Sequence, residues 1–556
     1  MPCPDPSLRT KSLVSGLMIQ IKNNQKNSYN RMPRSKKTKT SFAYDDQGRA
    51  ILSTAKDMAA WVKMGFEEQK KRRGADDVFL DDYIDLTNCV LYISYPIGSK
   101  NPTAQIFNLC DMAGVVPGIE KIEGDPNYLY EVKKDILLNG SLLNGCFFHY
   151  VKFDGRVSMD NVTVSGTFSC FKCLFRGHAF MQRIHLTGGF TYEQCVFEKG
   201  LLMNSAKVGG IHAQLNYCHI KERLSLAQAS ITNQKVENYK QTIDIANSTI
   251  DNLVISRICT DGLPFYIRHS TIQGMAMDNV NLENVLFFDT CSLDGIITSV
   301  IEEDSPKNKF EKLVFHSCNV KAQYHIENSV IERFIFNFGK IDGIGRLRFA
   351  QCEIKELKIG ASSVFGQIDI IENQINTIGL EENCVQGYLS FQDNMVNHYS
   401  DRQTLRLLKS EAIKVNDTVE ATKLYAKEMR ILLADKNVPF GDKVSLWISR
   451  AFSGFGEKWV RALIVTVSLS MGLTFIMLGF GSTKYGFDFS GEFMGLGRFV
   501  TSWLDSINVF SIPLFSDTIR EYGLNVCGQI LYFLIKVIVA YGSYQFVVAF
   551  RKYSRH

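Results

Sequence analysis

A short motif recurs through the middle of the chain at a nearly constant spacing. It consists of a small or amide residue, any residue and an apolar residue, and its copies begin at Cys173, Cys195, Cys218, Ser248, Ser270, Cys291, Cys318, Cys352 and Asn373. Intermediate copies at Ser329 and Ser363 and an insertion at 302–308 account for the wider steps, so the period is about 20 to 23 residues. One turn of a parallel β-solenoid has this length, and its coils bury side chains only by stacking. The sequence therefore predicts a mainly β fold, a parallel β-helix, over residues 135–398.

The cysteines fit this repeat better than a disulfide framework or a metal site. The chain has 14 of them in 556 residues, and a protein of this size does not need disulfides to stabilise its fold. We predict that Cys195, Cys218, Cys291, Cys318 and Cys352 are buried reduced thiols stacked in ladders. Cys170 and Cys173 form a single CxxC pair, and zinc binding needs a second pair of ligands at suitable spacing. We therefore expect no metal and no cofactor.

Catalytic signatures are not found in the sequence. GxSxG and HExxH motifs are missing, and the segment 98–100 (Gly-Ser-Lys) lacks the upstream glycine of a phosphate-binding loop. We therefore expect that the protein is not an enzyme.

Two long apolar segments lie near the C-terminus. Residues 462–480 contain no charged side chain, and residues 524–550 contain one, Lys536. A helix rises 1.5 Å per residue, so each segment can cross a hydrocarbon layer about 30 Å thick. We predict membrane spans at about 460–481 and 524–550, within a channel domain at 459–556. Two core helices of a soluble domain are the alternative.

The flanking charges predict how these spans are oriented. Three basic residues (Arg450, Lys458 and Arg461) precede the first span and three (Arg551, Lys552 and Arg555) follow the second, whereas acids outnumber bases in the connector. Basic residues favour the cytoplasmic side of a membrane. We expect a multi-pass inner-membrane protein with both termini in the cytoplasm.

A third apolar stretch, at about 497–515, lies between the two spans. Asp505 and Pro513 interrupt it, and a third crossing would place the basic C-terminus outside, so the sequence predicts a re-entrant segment. Such backbone is tolerated at membrane depth only against protein or a water-filled cavity. We therefore expect a homo-oligomer around a pore, with pore or selectivity residues Asp505, Ser506, Ser511 and Lys536. A surface helix beside two simple anchors is the alternative.

One part of the repeat region combines basic and aromatic residues. The bases are Arg333, Lys340, Arg346, Arg348, Lys355 and Lys358. This combination binds phosphates and stacks on bases, so we predict a ligand site here, for example for a nucleotide or oligonucleotide. Because alternate residues of a strand face inward, the alternative is that the aromatics belong to the core and the bases to a solvated face.

The segment 399–458 is predicted to be a helical linker. Apolar residues from Leu405 to Leu433 recur at steps of three and four, which is typical of one helical face. The pair Asn416 and Asp417 permits either one long helix or a hairpin. Residues 442–455 predict an interfacial helix with Trp447 facing lipid or a channel collar. At the other end, residues 41–134 are interpreted as a small α/β cap and residues 1–40 as a disordered or extra tail.

The linker and the last span carry a family resemblance. The runs 405–409 (LRLLK), 421–430 (ATKLYAKEMR), 453–457 (SGFGE) and 544–552 (YQFVVAFRK) resemble bacterial pentapeptide-repeat proteins that end in a two-transmembrane ion channel. The resemblance implies a tetrameric pore with cytoplasmic repeats. The chain departs from that family in two ways. It lacks strict five-residue periodicity, and Ser506–Phe515 replaces the glycine-rich potassium filter.

The same plan resembles bacterial anti-phage membrane effectors, including the channel effector of the Hailong system. The sequence therefore predicts a ligand-gated ion channel whose cytoplasmic β-solenoid senses a signal. Its expected partners are further copies of the chain, membrane lipid and an activating ligand of the cytoplasm. The alternative function is a membrane-anchored solenoid scaffold that binds a protein partner.

Overall fold

The computed structural model describes residues 42–73, 83–87, 89–91, 107–209, 212–232, 241–295, 297–299, 306–381, 384–482, 494–508 and 523–551. The tail interpreted at 1–40 lies outside these residues, and so do Ser511 and the rest of 509–515.

The repeat region is a parallel β-solenoid, as predicted. Each coil has four sides. On side 1 lie β5 Phe107–Asn108, β10 Cys146–His149, β14 Phe168–Phe171, β18 Gly189–Glu193, β22 His212–Asn216, β26 Thr242–Ala246 and β28 Phe265–Arg268. On side 2 lie β7 Tyr130–Val132, β11 Val151–Phe153, β15 Leu174–Phe175, β19 Val196–Phe197, β23 His219–Ile220, β31 Ser292–Leu293, β34 Asn319–Val320, β37 Lys340–Ile341, β40 Ser363–Val364 and β43 Cys384–Val385.

Sides 3 and 4 complete each coil. On side 3 lie β3 Tyr83–Asp85, β8 Asp135–Leu137, β12 Val157–Ser158, β16 Ala179–Phe180, β20 Leu201–Leu202, β24 Leu224–Ser225, β32 Ile297–Ser299, β35 Gln323–Glu327, β38 Arg346–Ala350, β41 Gln367–Ile371 and β44 Tyr388–Gln392. On side 4 lie β2 Ala50–Leu52, β4 Cys89–Leu91, β9 Leu142–Leu143, β13 Thr163–Val164, β17 His185–Leu186, β21 Lys207–Gly209 and β25 Ser230–Thr232.

Longer strands turn a corner. Those that join sides 2 and 3 are β27 Thr249–Ser256 and β29 Thr271–Asp278. Those that join sides 4 and 1 are β30 Asn281–Asp289, β33 Asn308–His316, β36 Ser329–Asn337, β39 Glu353–Gly360, β42 Gln374–Glu381 and β45 Met395–Tyr399. The described part of the chain also contains β1 Ala43–Tyr44 and β6 Ile119–Lys121, and β6 pairs antiparallel with β7.

Parallel register confirms the period. Cys146 pairs with Phe168 near the start of the solenoid, and Leu357 pairs with Ile378 near its end. Inward side chains stack on their equivalents in the next coil; the rings of Phe153, Phe175 and Phe197, for example, are 4.7 and 4.5 Å apart. Each coil therefore completes its core only through its neighbours.

The recurring motif marks the corners of the coils. The residue before the motif has a positive φ, for example 50° at Lys172, which turns the chain sharply. The small residue that follows lies inside the corner, where Cys173 Sγ donates to the carbonyl oxygen of Phe148 in the previous coil at 3.0 Å. A larger side chain would not fit there, and a purely apolar one would not make this bond.

The motif belongs to two ladders rather than to a single series. Cys173, Cys195, Cys218, Ser248, Ser270, Cys291 and Cys318 precede side 2, whereas Ser329, Cys352 and Asn373 precede side 4. The copy taken to begin at Ser363 is displaced by one residue, since Ser362 is the buried corner residue. Two corners of each coil impose the same constraint, which is why copies half a period apart looked alike in sequence.

The five ladder cysteines are buried free thiols, as predicted. Burial raises the pKa of the Cys352 thiol to about 12, and its Sγ donates to the Ile326 carbonyl at 3.4 Å. Ser362 makes the equivalent bond to the Phe336 carbonyl in the other ladder. A hydroxyl is therefore already tolerated at such corners.

We accordingly expect Cys352→Ser to lower the free energy of unfolding by only about 1 kcal/mol, because the smaller oxygen keeps the hydrogen bond but packs less well. Cys352→Leu should cost more through overpacking. Chemical denaturation of both variants checks this order. Stoichiometric zinc in the purified protein would contradict the thiol assignment.

The segment before residue 135 contributes helix α1, Ala55–Arg73, and strands that continue the parallel pairing. Val90 pairs with Leu142 on side 4, and Ile84 pairs with Ile136 on side 3. The division into a cap at 41–134 and a solenoid at 135–398 stays an interpretation.

Among the residues that the structure describes, six helices follow the solenoid. They are α2 Arg402–Lys414, α3 Thr418–Ala434, α4 Phe440–Ser453, α5 Trp459–Gly481, α6 Met494–Ile507 and α7 Val526–Arg551. Helices α2 and α3 form a hairpin, because Asn416 has a φ of 62° and the Asp417 side chain caps α3 by accepting from the Glu420 amide. This decides between the two linker alternatives.

Helix α2 covers the last coil of the solenoid. Thr404 Oγ1 accepts a hydrogen bond from the Leu380 amide at 2.8 Å, and Leu405 and Leu408 are buried. The stack thus ends against a helix, which protects its terminal core and fixes the linker to the solenoid.

Candidate pore and ligand site

Helices α5 and α7 are long and apolar enough to cross a membrane, and they pack side by side. Glycines permit this contact at two positions of α7, one near its start and one in its second half. A Cβ atom on Gly528 would lie 2.4 Å from the carbonyl oxygen of Gly481, and one on Gly542 would lie 2.0 Å from Oγ1 of Thr466. Small residues at such positions let the backbones of two apolar helices approach closely. In a membrane this close packing replaces the hydrophobic effect, which does not drive helices together there.

Helix α6 packs against α5 through two polar contacts. The indole nitrogen of Trp503 donates to Ser470 Oγ at 3.0 Å, and the hydroxyls of Thr474 and Ser506 are 3.0 Å apart. Ser470 stands eleven residues from each end of α5, so these contacts lie at about the middle of that helix. The C-terminal turn of α6 is therefore level with the centre of α5.

Lys536 of α7 holds the same end of α6. Its ammonium donates to the carbonyl oxygen of Asp505 at 3.0 Å and to that of Asn508, and it lies 5.1 Å from the ring centroid of Tyr532. The residue is only 7% exposed. A cation beside the C-terminal carbonyls of a helix satisfies them and interacts favourably with the helix dipole.

The structure thus brings together three of the four predicted pore residues. Lys536 contacts the backbone of Asp505, whose side chain is exposed, and the buried Ser506 lies on the α5 side of the same turn. Ser511 lies outside the described residues. Their role in conduction stays a prediction.

The linker contains a buried carboxylate that sequence reasoning missed. Glu428 of α3 is buried and accepts hydrogen bonds from Arg402, Arg406 and Lys409 of α2 at 3.0, 2.9 and 2.6 Å. Burial alone would raise the pKa of Glu428, but these three cations outweigh it and hold the pKa below its ordinary value. The three bases recur at steps of four and three on one helical face, which is the signal that could have found the site.

We expect Glu428→Gln to lower the free energy of unfolding by about 2 kcal/mol, because it leaves three clustered cations without their acid while the partners keep partial access to water. A depressed carboxyl pKa gives stability that is present above the unfolded value, about 4.3, and lost as the pH falls through the folded value. The difference between wild type and variant should therefore be constant from pH 6 to 8 and shrink below about pH 4. Denaturation at several pH values checks this. A constant difference down to pH 3 would contradict it.

Polar contacts connect the solenoid to the membrane-proximal helices. Lys427 of α3 donates to the hydroxyl of Tyr399 in β45 at 3.1 Å, and Arg430 of α3 pairs with Glu457 between α4 and α5. Ser453 at the end of α4 donates to Gln545 Oε1 of α7 at 2.7 Å. Movement of the last coil relative to α5 and α7 would therefore disturb this chain of contacts.

The six basic residues of the predicted ligand site do not form one surface. Arg333 and Lys358 lie on side 1, Lys355 at the corner before it, Lys340 on side 2, and Arg346 and Arg348 on side 3. Each has a carboxylate partner, namely Glu356, Glu356, Glu332, Asp342, Asp369 and Glu327 respectively. The aromatic residues Phe334, Phe336 and Phe349 are buried, as in the alternative interpretation, whereas Phe338 of the same run is exposed. Ligand binding stays a prediction.

Side 3 nevertheless keeps a smaller basic group. Arg346 and Arg348 are two residues apart on β38, and His325 of β35 is the register partner of Arg348. Nε of Arg348 and Nε2 of His325 are buried and have no hydrogen bond within the described part of the chain; Nε of Arg348 is 3.5 Å from Glu327 Oε1. Arg346, Arg348 and His325 therefore form one small basic group on side 3.

Comparison of the chain with protein-family models, curated proteins and solved structures finds no match. Among the described residues, no group of three or more His, Cys, Asp and Glu side chains could hold a metal ion. The interpretation of function therefore rests on the geometry of the helices and of the solenoid.

Proposed function

We propose that the chain is the subunit of a homo-oligomeric ion channel of a bacterial inner membrane, opened when the cytoplasmic solenoid senses a ligand. The observation that supports this most is the end of α6 at the middle of α5 and α7, held by Lys536. The proposal includes no catalytic step.

The end of α6 favours a channel because it would lie deep within the membrane. At 1.5 Å per residue, Ser470 would lie about 16 Å from either end of α5, and Lys536 about 15 Å from the start of α7. A helix that ends at such a depth exposes carbonyl groups where no lipid can satisfy them, so protein or a water-filled cavity must cover them. Two simple anchors would not require a third helix there.

An assembly is needed because three helices cannot enclose a pore. Large apolar side chains remain exposed on both spans, for example Ile464, Phe475, Phe533 and Val547. Some of these would face lipid and others neighbouring copies. Four copies, the number implied by the family resemblance, would arrange four α6 ends around one axis, with both termini of each chain in the cytoplasm.

The ligand part of the proposal concerns side 3. A nucleotide or oligonucleotide phosphate could bind Arg346, Arg348 and His325, and the α2 cap would carry the resulting change to α3 and the spans. Release or entry of ions after such a signal would depolarise the membrane. This is the outcome expected of an anti-phage effector.

Ion flux from liposomes tests the channel. The purified chain would be reconstituted into vesicles loaded with a salt-sensitive dye, with nucleotide extracts of infected and uninfected cells added outside. We expect ion flux with one of the two extracts and no ion flux with the other. A membrane-anchored scaffold, the other candidate function, predicts no flux under any extract.

The double variant Arg346→Glu, Arg348→Glu tests the ligand surface. We expect it to lose ligand-dependent flux, because two reversed charges repel phosphate, while its oligomer mass stays unchanged; ligand affinity of the wild type should fall with salt. The matched control is Lys199→Glu with Lys221→Glu, which lie on other coils. Retained gating in the arginine variant would remove side 3 from consideration.

A further inference from the structure

Helix α4, directly before the first span, presents an apolar face that no other part of the described chain covers. Phe440, Val444, Trp447 and Ile448 recur at steps of four, three and one, and all are exposed, with Trp447 at 66% and Phe440 at 82%. Such spacing places them on one side of a helix.

The opposite face of α4 is turned toward the protein. Ser445 and Leu446 line a groove with Leu432 of α3, and the ring of Phe452 packs edge-on against Tyr541 of α7, 5.2 Å away. The end of α4 is thus held against α7, and α5 begins six residues after it, at Trp459. The exposed face of α4 lies where the cytoplasmic surface of a membrane would begin.

Basic side chains border this face. Lys443 and Arg450, seven residues apart, follow one edge of the apolar strip, and Lys458 and Arg461 come next at the start of α5. Of the acids nearby, Asp442 lies on the groove side and Glu457 pairs with Arg430. The charge around the strip is therefore positive.

We propose that α4 lies in the cytoplasmic headgroup layer of the membrane, with its apolar face against acyl chains, and that Lys443 and Arg450 bind anionic phospholipid headgroups. Amphipathic helices with this arrangement bind in the interface plane, and long basic side chains reach from the apolar boundary to the headgroups. The inference rests on the membrane insertion in the proposed function and not on ion conduction.

Charge complementarity favours lipid over a second copy of the chain as the occupant. A neighbouring copy would have to offer acids opposite Lys443 and Arg450, whereas the surface around each α4 is itself basic. Anionic headgroups supply that charge, and each basic residue near such a surface strengthens binding to it by about five-fold.

Quenching of tryptophan fluorescence by brominated lipid tests the inference on the full chain. The protein would be placed in nanodiscs of phosphatidylcholine that contain a fixed fraction of brominated phosphatidylcholine or brominated phosphatidylglycerol. The difference between wild type and Trp447→Phe isolates the signal of Trp447 from those of the other tryptophans. We expect Trp447 to be quenched by both lipids, and several-fold more efficiently by brominated phosphatidylglycerol.

The double variant Lys443→Gln, Arg450→Gln should make the two brominated lipids equally efficient while Trp447 stays quenched. The control pair Lys199→Gln, Lys221→Gln should keep the preference for phosphatidylglycerol. Absence of a Trp447-specific signal would overturn the inference, and disulfide cross-linking of Ile448→Cys between copies would then assign the face to a subunit contact. A retained preference in the Lys443 and Arg450 variant would overturn the headgroup assignment. Quenching without flux would leave the inference standing and remove the channel.

Discussion

Replacing Gly528 with alanine is expected to separate α5 from α7 at one end. The added Cβ atom would lie 2.4 Å from the carbonyl oxygen of Gly481 and 3.1 Å from its Cα. Both obstacles are backbone atoms, so no side-chain rotation can relieve the contact, and the helices must shift. Overpacking typically costs about 1–3 kcal/mol, and a backbone contact of this kind belongs at the upper end, about 3 kcal/mol. We expect a thermal midpoint lower by about 5 °C or more and a lost or altered oligomer, measured by circular dichroism and mass photometry in detergent.

Gly472 provides a matched control in α5. A Cβ atom there would meet nothing within 4 Å, so Gly472→Ala should be neutral or stabilise the helix by about 0.5–1 kcal/mol through reduced backbone entropy. If Gly528→Ala lowers stability and Gly472→Ala does not, the effect arises from the contact between α5 and α7. Equal and small effects would mean that α5 and α7 do not approach each other at Gly528 in the assembled protein.

The solenoid could be predicted because its constraint repeats. Each corner requires a small residue after a left-handed turn, and this requirement is met again one coil later, so Cys195 and Cys218 reveal the same geometry independently. The two apolar helices were predictable for a similar reason, since length and the absence of charge suffice. What repetition could not show is that Ser329 and Cys352 belong to a second corner.

The contacts of the membrane-proximal part were harder to predict because each occurs once. The sequence placed Lys536 inside a span and Asp505 between the spans, but their separation along the chain does not show that the ammonium would reach the Asp505 carbonyl. Glu428 is likewise one acid among many until the α2–α3 hairpin brings three bases to it. Sites built from single long-range contacts need the fold before they can be recognised.

The basic residues from Arg333 to Lys358 are close in sequence but not in the structure. Closeness in sequence suggested one surface, but a coil of four sides distributes consecutive residues around its perimeter. Residues one period apart are neighbours instead, which is why His325 and Arg348 lie together.

Lys536 satisfies two carbonyl groups at the depth where α6 ends, so its replacement is expected to have a large effect. Lys536→Ala removes both hydrogen bonds and leaves the carbonyls of Asp505 and Asn508 unsatisfied. Losing these bonds costs on the order of 2 kcal/mol. This is enough to change the ratio between the held and the released position of the α6 end by about thirty-fold. We expect a corresponding increase in ligand-independent ion leak from liposomes.

Charge at this position should also affect ion selectivity. In an assembly the ammonium groups form a ring that disfavours cations, so Lys536→Glu should move the reversal potential under a salt gradient toward cation permeability, and Asp505→Asn should move it the other way. Lys536→Arg keeps the charge and the donors, and we expect it to preserve both low leak and selectivity. Unchanged leak and reversal potential in both the alanine and glutamate variants would place Lys536 outside the pore. The end of α6 would then be a structural contact of two membrane anchors, and the channel assignment would lose its main support.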